Sequence, residues 1–152
     1  MHRAVRDDKT HDPLDFAKNA GELGFTGVEY VSQLYNEHIK TMGMDSVLTI
    51  LKANSEKFNI QSVLIMVDDE GSLASTNDEE RNTTVENHYK WVDAAKYLGC
   101  HSIRVNAHGE GTAEELELLA RQTWKITRVE YEDFVFYYKS IVEKLKKEKG
   151  IE

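Results

Sequence analysis

Residues 60–67 read IQSVLIMV, and this stretch decides the fold. It is apolar at nearly every position instead of at every second one. Such a run is typical of a strand buried on both faces, as in a parallel sheet covered by helices. Apolar residues at helical spacing precede it in residues 45–58, and others follow it between Val85 and Leu98. The pattern predicts an α/β fold in which helices and parallel strands alternate.

Two further strands are predicted on either side of this one, in residues 26–31 and 101–106. The helix before the first strand is expected to begin at Asp12, as N-cap, with Pro13 in the first helical position. Gly24 is expected to end it. The sheet would then contain three to four strands flanked by helices, and the pattern alone does not decide whether the sheet is open or curls into a barrel.

Two helix starts are indicated by a threonine followed three residues later by a glutamate, the capping-box pattern. Thr76 with Glu79 predicts the start of the third helix, and Thr112 with Glu115 the start of the fourth. From about residue 123 the pattern changes. In residues 124–126 apolar residues occupy every second position, and in residues 131–145 apolar residues recur at helical spacing.

The composition predicts an ordinary cytoplasmic protein. A net charge of −8 and a pI near 5.3 do not favour nucleic acid or a membrane as partner. The first twelve residues are too charged for a signal peptide, and no apolar run approaches the roughly 18 residues of a membrane span. The single cysteine, Cys100, excludes an internal disulfide and is expected to be buried and unreactive.

Four stretches of the sequence resemble the sugar phosphate isomerase/epimerase family, whose fold is the xylose isomerase-like βα-barrel. They are residues 1–4 (MHRA), residues 14–35 (LDFAKNAGELGFTGVEYVSQLY), residues 62–71 (SVLIMVDDEG) and residues 86–109 (ENHYKWVDAAKYLGCHSIRVNAHG). The last stretch is the longest and the most specific. The resemblance extends over about residues 2–109, roughly two-thirds of the chain.

The resemblance implies a partial (β/α) TIM-barrel-like unit in residues 1–122, since the chain has 152 residues and a closed barrel takes roughly 250. Residues 123–152 are unlike the family and are interpreted as a helical tail of the same compact domain. The resemblance also implies isomerase or epimerase chemistry on a carbohydrate-type substrate, assisted by a divalent metal such as Mn²⁺, Mg²⁺ or Zn²⁺. The family's metal ligands lie mainly on barrel strands five to eight, and no motif of that kind follows Gly109.

In βα-barrels the chemistry takes place at the C-terminal ends of the strands. Three such ends, at residues 32–35, 68–71 and 106–109, and two charged residues within strands give the candidate residues. The carboxylates Glu29, Asp68 and Glu70 are predicted to be catalytic, without an assignment of acid and base. The other candidates are Gln33, Arg104 and Asn106 for substrate binding and His108 as a metal ligand or acid/base. The loop of residues 68–75 is either a lid or a solvated acidic loop.

Glu29 and Arg104 form the more specific pair, because each is a charged residue in the middle of a strand. If they point into the barrel they would meet as an ion pair or lie beneath a sugar phosphate. If they point toward the helices their charged groups would instead reach solvent.

Three functions remain open. The chain is an isomerase or epimerase completed by a second copy or a complementing half-barrel, a half-barrel without catalysis, or an interaction module whose aromatic tail covers a sheet edge or a partner.

Overall fold

The computed structural model describes residues 10–106 and 112–127. These residues fall into two compact units. The first contains the residues up to Glu70 together with Asn87–Asn106, and the second contains Gly71–Glu86 together with the residues after Asn106.

Strands and helices alternate along the described chain, as predicted. In order they are a 3₁₀ helix Pro13–Asp15, α1 (Phe16–Glu22), β1 (Gly27–Val31), a 3₁₀ helix Ser32–Tyr35, α2 (Asn36–Met42), α3 (Met44–Lys57), β2 (Gln61–Val67), α4 (Asp78–Leu98), β3 (Ser102–Val105) and α5 (Ala113–Thr127).

The three strands form a parallel sheet in the order β1-β2-β3. The three predicted strands and the α/β class are therefore confirmed. One irregularity interrupts the sheet. Val28 pairs with Ser62, but the next residue, Glu29, pairs with Leu64. Val63 is thus an extra residue in β2, which makes this a β-bulge.

The two faces of the sheet differ. One face carries Val28 and Tyr30 from β1 and Ile65 and Val67 from β2, all at most 5% exposed. These side chains belong to one apolar core with residues of α1, α3 and the second half of α4. The opposite face, which we call the open face, carries the residues that alternate with them in the register: Glu29, Val31, Leu64, Met66, Ser102 and Arg104.

Most predicted helix ends are close to the observed ones. The Asp12 carboxylate accepts a hydrogen bond from the Leu14 amide at 2.8 Å, as expected of an N-cap. Thr112 and Glu115 form the predicted capping box, since each side chain accepts a hydrogen bond from the other residue's amide, at 3.2 and 3.0 Å. The start of α4 was predicted one residue early. Asn77, not Thr76, accepts from the first amides of the helix.

Two other expectations are corrected. Residues 123–127 are helical because α5 continues to Thr127, so the suggested period of two is wrong there. Helix α2 was not predicted at all. The helical tail predicted in residues 131–145 lies outside the described residues.

The second unit contains a glycine that no other residue can replace without strain. Gly71 has a φ of +110°, and a Cβ at this position would lie 2.3 Å from the Oγ1 of Thr84. Thr84 is itself only 1% exposed. Nearby, Leu73 and Ala74 are buried, so the loop of residues 68–75 is not a solvated acidic loop along its whole length.

None of the helices in the described part of the chain is both long and apolar enough to cross a membrane.

Candidate functional site

A polar cluster lies where the three strands end, and the carboxylate of Asp68 is at its centre. Oδ1 accepts hydrogen bonds from Nη2 of Arg104 at 3.1 Å and from Nδ2 of Asn106 at 2.5 Å, and Oδ2 accepts one from Nε2 of Gln33 at 3.2 Å. Gln33 follows β1, Asp68 follows β2, and Asn106 follows β3, while Arg104 lies near the end of β3 itself. We call these four residues the Asp68 cluster.

The chain next to Asp68 is held in place by Ser32. Its hydroxyl donates to the Asp68 carbonyl at 3.2 Å and accepts from the Asp68 amide at 2.9 Å. Ser32 is itself buried, with 1% of its surface exposed. This serine was not among the predicted site residues. Its position directly after β1, inside the Ser-Gln sequence whose Gln33 was predicted, is the signal that points to it.

The cluster combines a shielded anion with an accessible cation. The Asp68 side chain is 16% exposed, whereas that of Arg104 is 46% exposed. Arg104 also donates from Nη1 to the Asn106 amide oxygen at 2.5 Å, which fixes the guanidinium between two partners. An arginine oriented in this way keeps further N–H groups available for a ligand, because a guanidinium carries five.

An open groove of about 850 Å³ extends from the cluster along β1. Glu29, Gln33, Asp68 and Arg104 are polar residues of its lining, and Phe16, Leu23, Phe25 and Leu34 belong to its apolar wall. Leu23 and Phe25 are more than 60% exposed. A groove of this size with few polar groups in an apolar lining is typical of a small-molecule site.

Glu29 lies on the open face with Arg104 and lines the same groove, but the two do not form an ion pair. Val31, two residues after Glu29 on the same face, pairs with Met66, and Met66 pairs with Arg104. The Cα atoms of Glu29 and Arg104 are therefore separated by about 7 Å along the strands and about 10 Å across them. Arg104 turns instead toward Asp68.

Glu70 is not part of the cluster, although it follows Asp68 by only two residues. Its carboxylate accepts hydrogen bonds from Nε1 of Trp91 at 2.7 Å and from Nζ of Lys90, 2.8 Å away, both on α4. Its carbonyl accepts another from Asn87 at 3.2 Å. Glu70 thus ties the end of β2 to α4, and the structure does not place it where a substrate in the groove would contact it.

The described residues do not fit a metal ion by themselves. No group of three or more histidine, cysteine, aspartate or glutamate side chains comes together within residues 10–106 and 112–127. The Asp68 carboxylate already accepts three hydrogen bonds. The predicted ligand His108 lies outside the described residues, so its role and the predicted divalent metal stay predictions.

Burial raises the pKa of three groups among the described residues of the first unit. Desolvation raises the pKa of the Cys100 thiol to about 11, although Cys100 is only partly buried and not fully buried as expected. Burial also raises the pKa of Tyr35 well above its ordinary value, and Tyr35 donates a hydrogen bond to the Pro13 carbonyl at 3.3 Å. Desolvation likewise raises the pKa of Tyr30, whose hydroxyl lies 3.1 Å from that of Ser62.

No family model matches the sequence, and a comparison with curated proteins finds no match either. Among solved structures, the chain is similar to the apo form of 3-keto-D-glucoside 4-epimerase from E. coli, with a TM-score of 0.58 and 13% sequence identity. The similarity covers 74% of this chain and 44% of that chain, so the chain spans less than half the length of the epimerase structure. At this identity the likeness shows the fold alone.

Proposed function

We propose that this chain binds a carbohydrate-type molecule at the Asp68 cluster and takes part in an isomerase or epimerase reaction there. The observation that carries the proposal is the convergence of Gln33, Asp68, Arg104 and Asn106 at the ends of three parallel strands. Active sites of βα-barrels lie at this end of the sheet. The fold similarity to part of a sugar epimerase supports the same class of reaction.

The cluster suits a polyhydroxylated ligand because it offers both kinds of hydrogen-bonding group. Asp68 accepts hydrogen bonds from hydroxyl groups, Arg104 donates to hydroxyl or carbonyl oxygens, and the amides of Gln33 and Asn106 do both. The apolar wall of the groove leaves these few polar groups to fix the orientation of the ligand.

The proposed chemistry is proton transfer at a carbon beside a carbonyl. The Asp68 carboxylate removes the proton, and the electron pair of the C–H bond moves onto the carbonyl oxygen. The Arg104 guanidinium stabilises the negative charge that develops on this oxygen. A proton delivered to the opposite face of the same carbon by water in the open groove gives the epimer. Return of the proton from Asp68 to the former carbonyl carbon, with transfer of the neighbouring hydroxyl proton to the former carbonyl oxygen, gives the isomer. No step is assigned to a metal.

Glu29 has a different place in this proposal. It is an exposed residue of β1 that lines the same groove, and the Arg104 guanidinium is paired with Asp68 instead of with it. We assign it to the part of the ligand that extends along β1. We assign no step to Glu70, because its carboxylate is bound by Trp91 and Lys90 and Glu70 is not among the described residues that line the groove.

The test separates binding from turnover. The chain is incubated in D₂O with keto-sugars, loss of the proton signal beside the carbonyl is followed by NMR, and binding is followed by saturation-transfer difference. We expect exchange by the natural sequence and none by Asp68→Asn, whereas the matched variant of an exposed helical carboxylate, Glu56→Gln, retains the natural rate. Equal exchange by Asp68→Asn and the natural chain would refute the assignment.

A second candidate function is sugar binding without catalysis. It is favoured by the three hydrogen bonds that Asp68 already accepts, because a carboxylate held in this way also suits a residue that only binds a ligand. In that case the chain is a half-barrel that binds sugars without converting them. Saturation transfer that depends on Arg104, without deuterium exchange in any assembly state, would select this function. Measuring the mass in solution during the same experiment tests whether a second copy or a complementing half-barrel is the partner.

A further inference from the structure

A second polar pocket lies in the second unit, between the start of α4 and the middle of α5. Its volume is about 540 Å³, which is within the usual range for small-ligand pockets. Among the described residues that line it, all but Leu118 are polar or charged: Asp78, Arg81, Asn82, Arg121, Gln122 and Lys125. These described residues bring three cations and one anion to the pocket, although the whole chain carries a net charge of −8.

Arg81 is the central residue of this pocket, and it is unusually buried for an arginine. It is only 8% exposed. Nη1 donates to the Ser75 carbonyl at 2.6 Å and Nη2 donates to Asp78, whose side chain is 86% exposed. The third donor, Nε–H, is buried and has no hydrogen-bond partner among the described residues. An unpaired donor on a buried cation is costly, and such groups are rare in folded proteins.

Gln122 supplies the opposite kind of unpaired atom. It is 4% exposed, and its Oε1 is a buried acceptor that also has no partner in the described part of the chain. Arg81 and Gln122, the residues with one unpaired buried donor and one unpaired buried acceptor, thus both line the pocket, together with the exposed residues Arg121 and Lys125. A ligand that fits must accept a hydrogen bond, donate one and carry negative charge.

We propose that this pocket binds a phosphate group, either as inorganic phosphate or as a phosphate monoester. A singly protonated phosphate has oxygens that accept from Nε of Arg81 and a P–OH that donates to Oε1 of Gln122. Charge-assisted hydrogen bonds of this kind are the strong ones, and arginine is well suited to them. The proposal is independent of the Asp68 cluster, which lies in the other unit.

The experiment measures binding of inorganic phosphate and of glycerol 3-phosphate to the full chain by calorimetry, at constant ionic strength. Saturable binding of both with equal affinity assigns the site to the phosphate group alone, and tighter binding of glycerol 3-phosphate assigns it to a monoester. Lys125→Gln is expected to weaken binding about three- to tenfold through loss of one charge. Lys96→Gln removes the same charge from an exposed position on α4 outside the pocket and serves as its matched control.

Replacing Arg81 would also remove its hydrogen bond to Ser75, so a second variant tests the pocket without that risk. Gln122→Glu keeps the shape of the side chain and adds a negative charge. We expect it to abolish phosphate binding while the melting temperature is unchanged or raised, because a carboxylate can pair with Arg81. Phosphate binding by Gln122→Glu at natural affinity, equal weakening by Lys125→Gln and Lys96→Gln, or no saturable binding of either ligand would overturn the proposal.

Discussion

Ser32→Ala should both destabilise the protein and loosen the candidate site. The Ser32 hydroxyl makes two hydrogen bonds to the backbone of Asp68, at 2.9 and 3.2 Å, and alanine makes neither. Leaving a buried backbone group unpaired costs about 1–3 kcal/mol. Because Asp68 is half-buried, water partly replaces the lost partner, and we expect a loss of about 1–2 kcal/mol in the free energy of unfolding.

For a chain of this size, that loss corresponds to a fall of about 3–6 °C in melting temperature. Urea titration measures the free energy, and hydrogen exchange of the Asp68 amide reports the local effect. Ser55→Ala is the matched control. Ser55 is also buried, and its hydroxyl donates to the Lys52 carbonyl within α3 and also interacts with the Tyr30 hydroxyl, but it makes no hydrogen bond to Asp68. Its removal should therefore leave the exchange of the Asp68 amide unchanged.

The reasoning would be refuted if the Asp68 amide exchanged at its natural rate in both Ser32→Ala and Ser55→Ala. That outcome would mean that the Asp68 backbone is held by the sheet alone.

Three further changes have outcomes that follow from the structure. Gly71→Ala should cost about 3 kcal/mol or more in a urea titration, because it combines a positive φ with a clash against buried Thr84. Gly99→Ala, at a φ of +80° with nothing within 4 Å, should cost only about 1 kcal/mol, and equal costs would contradict the clash. Alkylation of Cys100 at pH 8 should be about tenfold slower in the folded than in the urea-unfolded chain, because the raised pKa leaves little thiolate. The greater nucleophilicity of this thiolate offsets only part of the loss. Equal rates in the two states would show that the thiol is accessible in the folded chain. Folding stability should fall as pH rises above about 10, because the unfolded chain then releases the proton that folded Tyr35 retains, and Tyr35→Phe should make this slope shallower by up to about 1.4 kcal/mol per pH unit.

The strands could be predicted because burial on both faces leaves a continuous apolar run that few other structures share, as in residues 60–67. Helix α2 could not. Its seven residues, NEHIKTM, contain Ile39 as the only apolar residue before the final methionine, which is too short a stretch for a helical period to be visible. Its formation depends on tertiary contacts, since Ile39 packs against the core.

The start of α4 shows how a pattern can be correct and still be shifted by one residue. Thr76 precedes Glu79 by three residues, and Asn77 precedes Glu80 by three, so the sequence permits either residue as the cap. In the structure Asn77 takes this position. The Glu80 carboxylate accepts a hydrogen bond from the Ser75 hydroxyl at 2.6 Å.

The candidate site was predictable as a location but not as a set of carboxylates. Asp68 and Glu70 follow the same strand, and nothing in their types separates them. Asp69 adopts a φ of +65° between them, and the Glu70 carboxylate is then bound by α4 rather than by β3. A backbone conformation of this kind is decided by the surrounding fold and leaves no periodic trace in the sequence.

The extra residue in β2 has a consequence for how such chains can diverge. From Leu64 onward, each side chain of β2 points to the face opposite to the one that uninterrupted alternation from Gln61 would give. This shift places Asp68 on the face of Arg104, to which it is hydrogen-bonded. A one-codon deletion at Val63 would restore uninterrupted alternation and leave the composition of the strand almost unchanged. It would also turn Asp68 toward the helices. Single substitutions in the loops can therefore change the surroundings of the site step by step. A deletion between Ser62 and Leu64, in contrast, would remove Asp68 from the cluster at once.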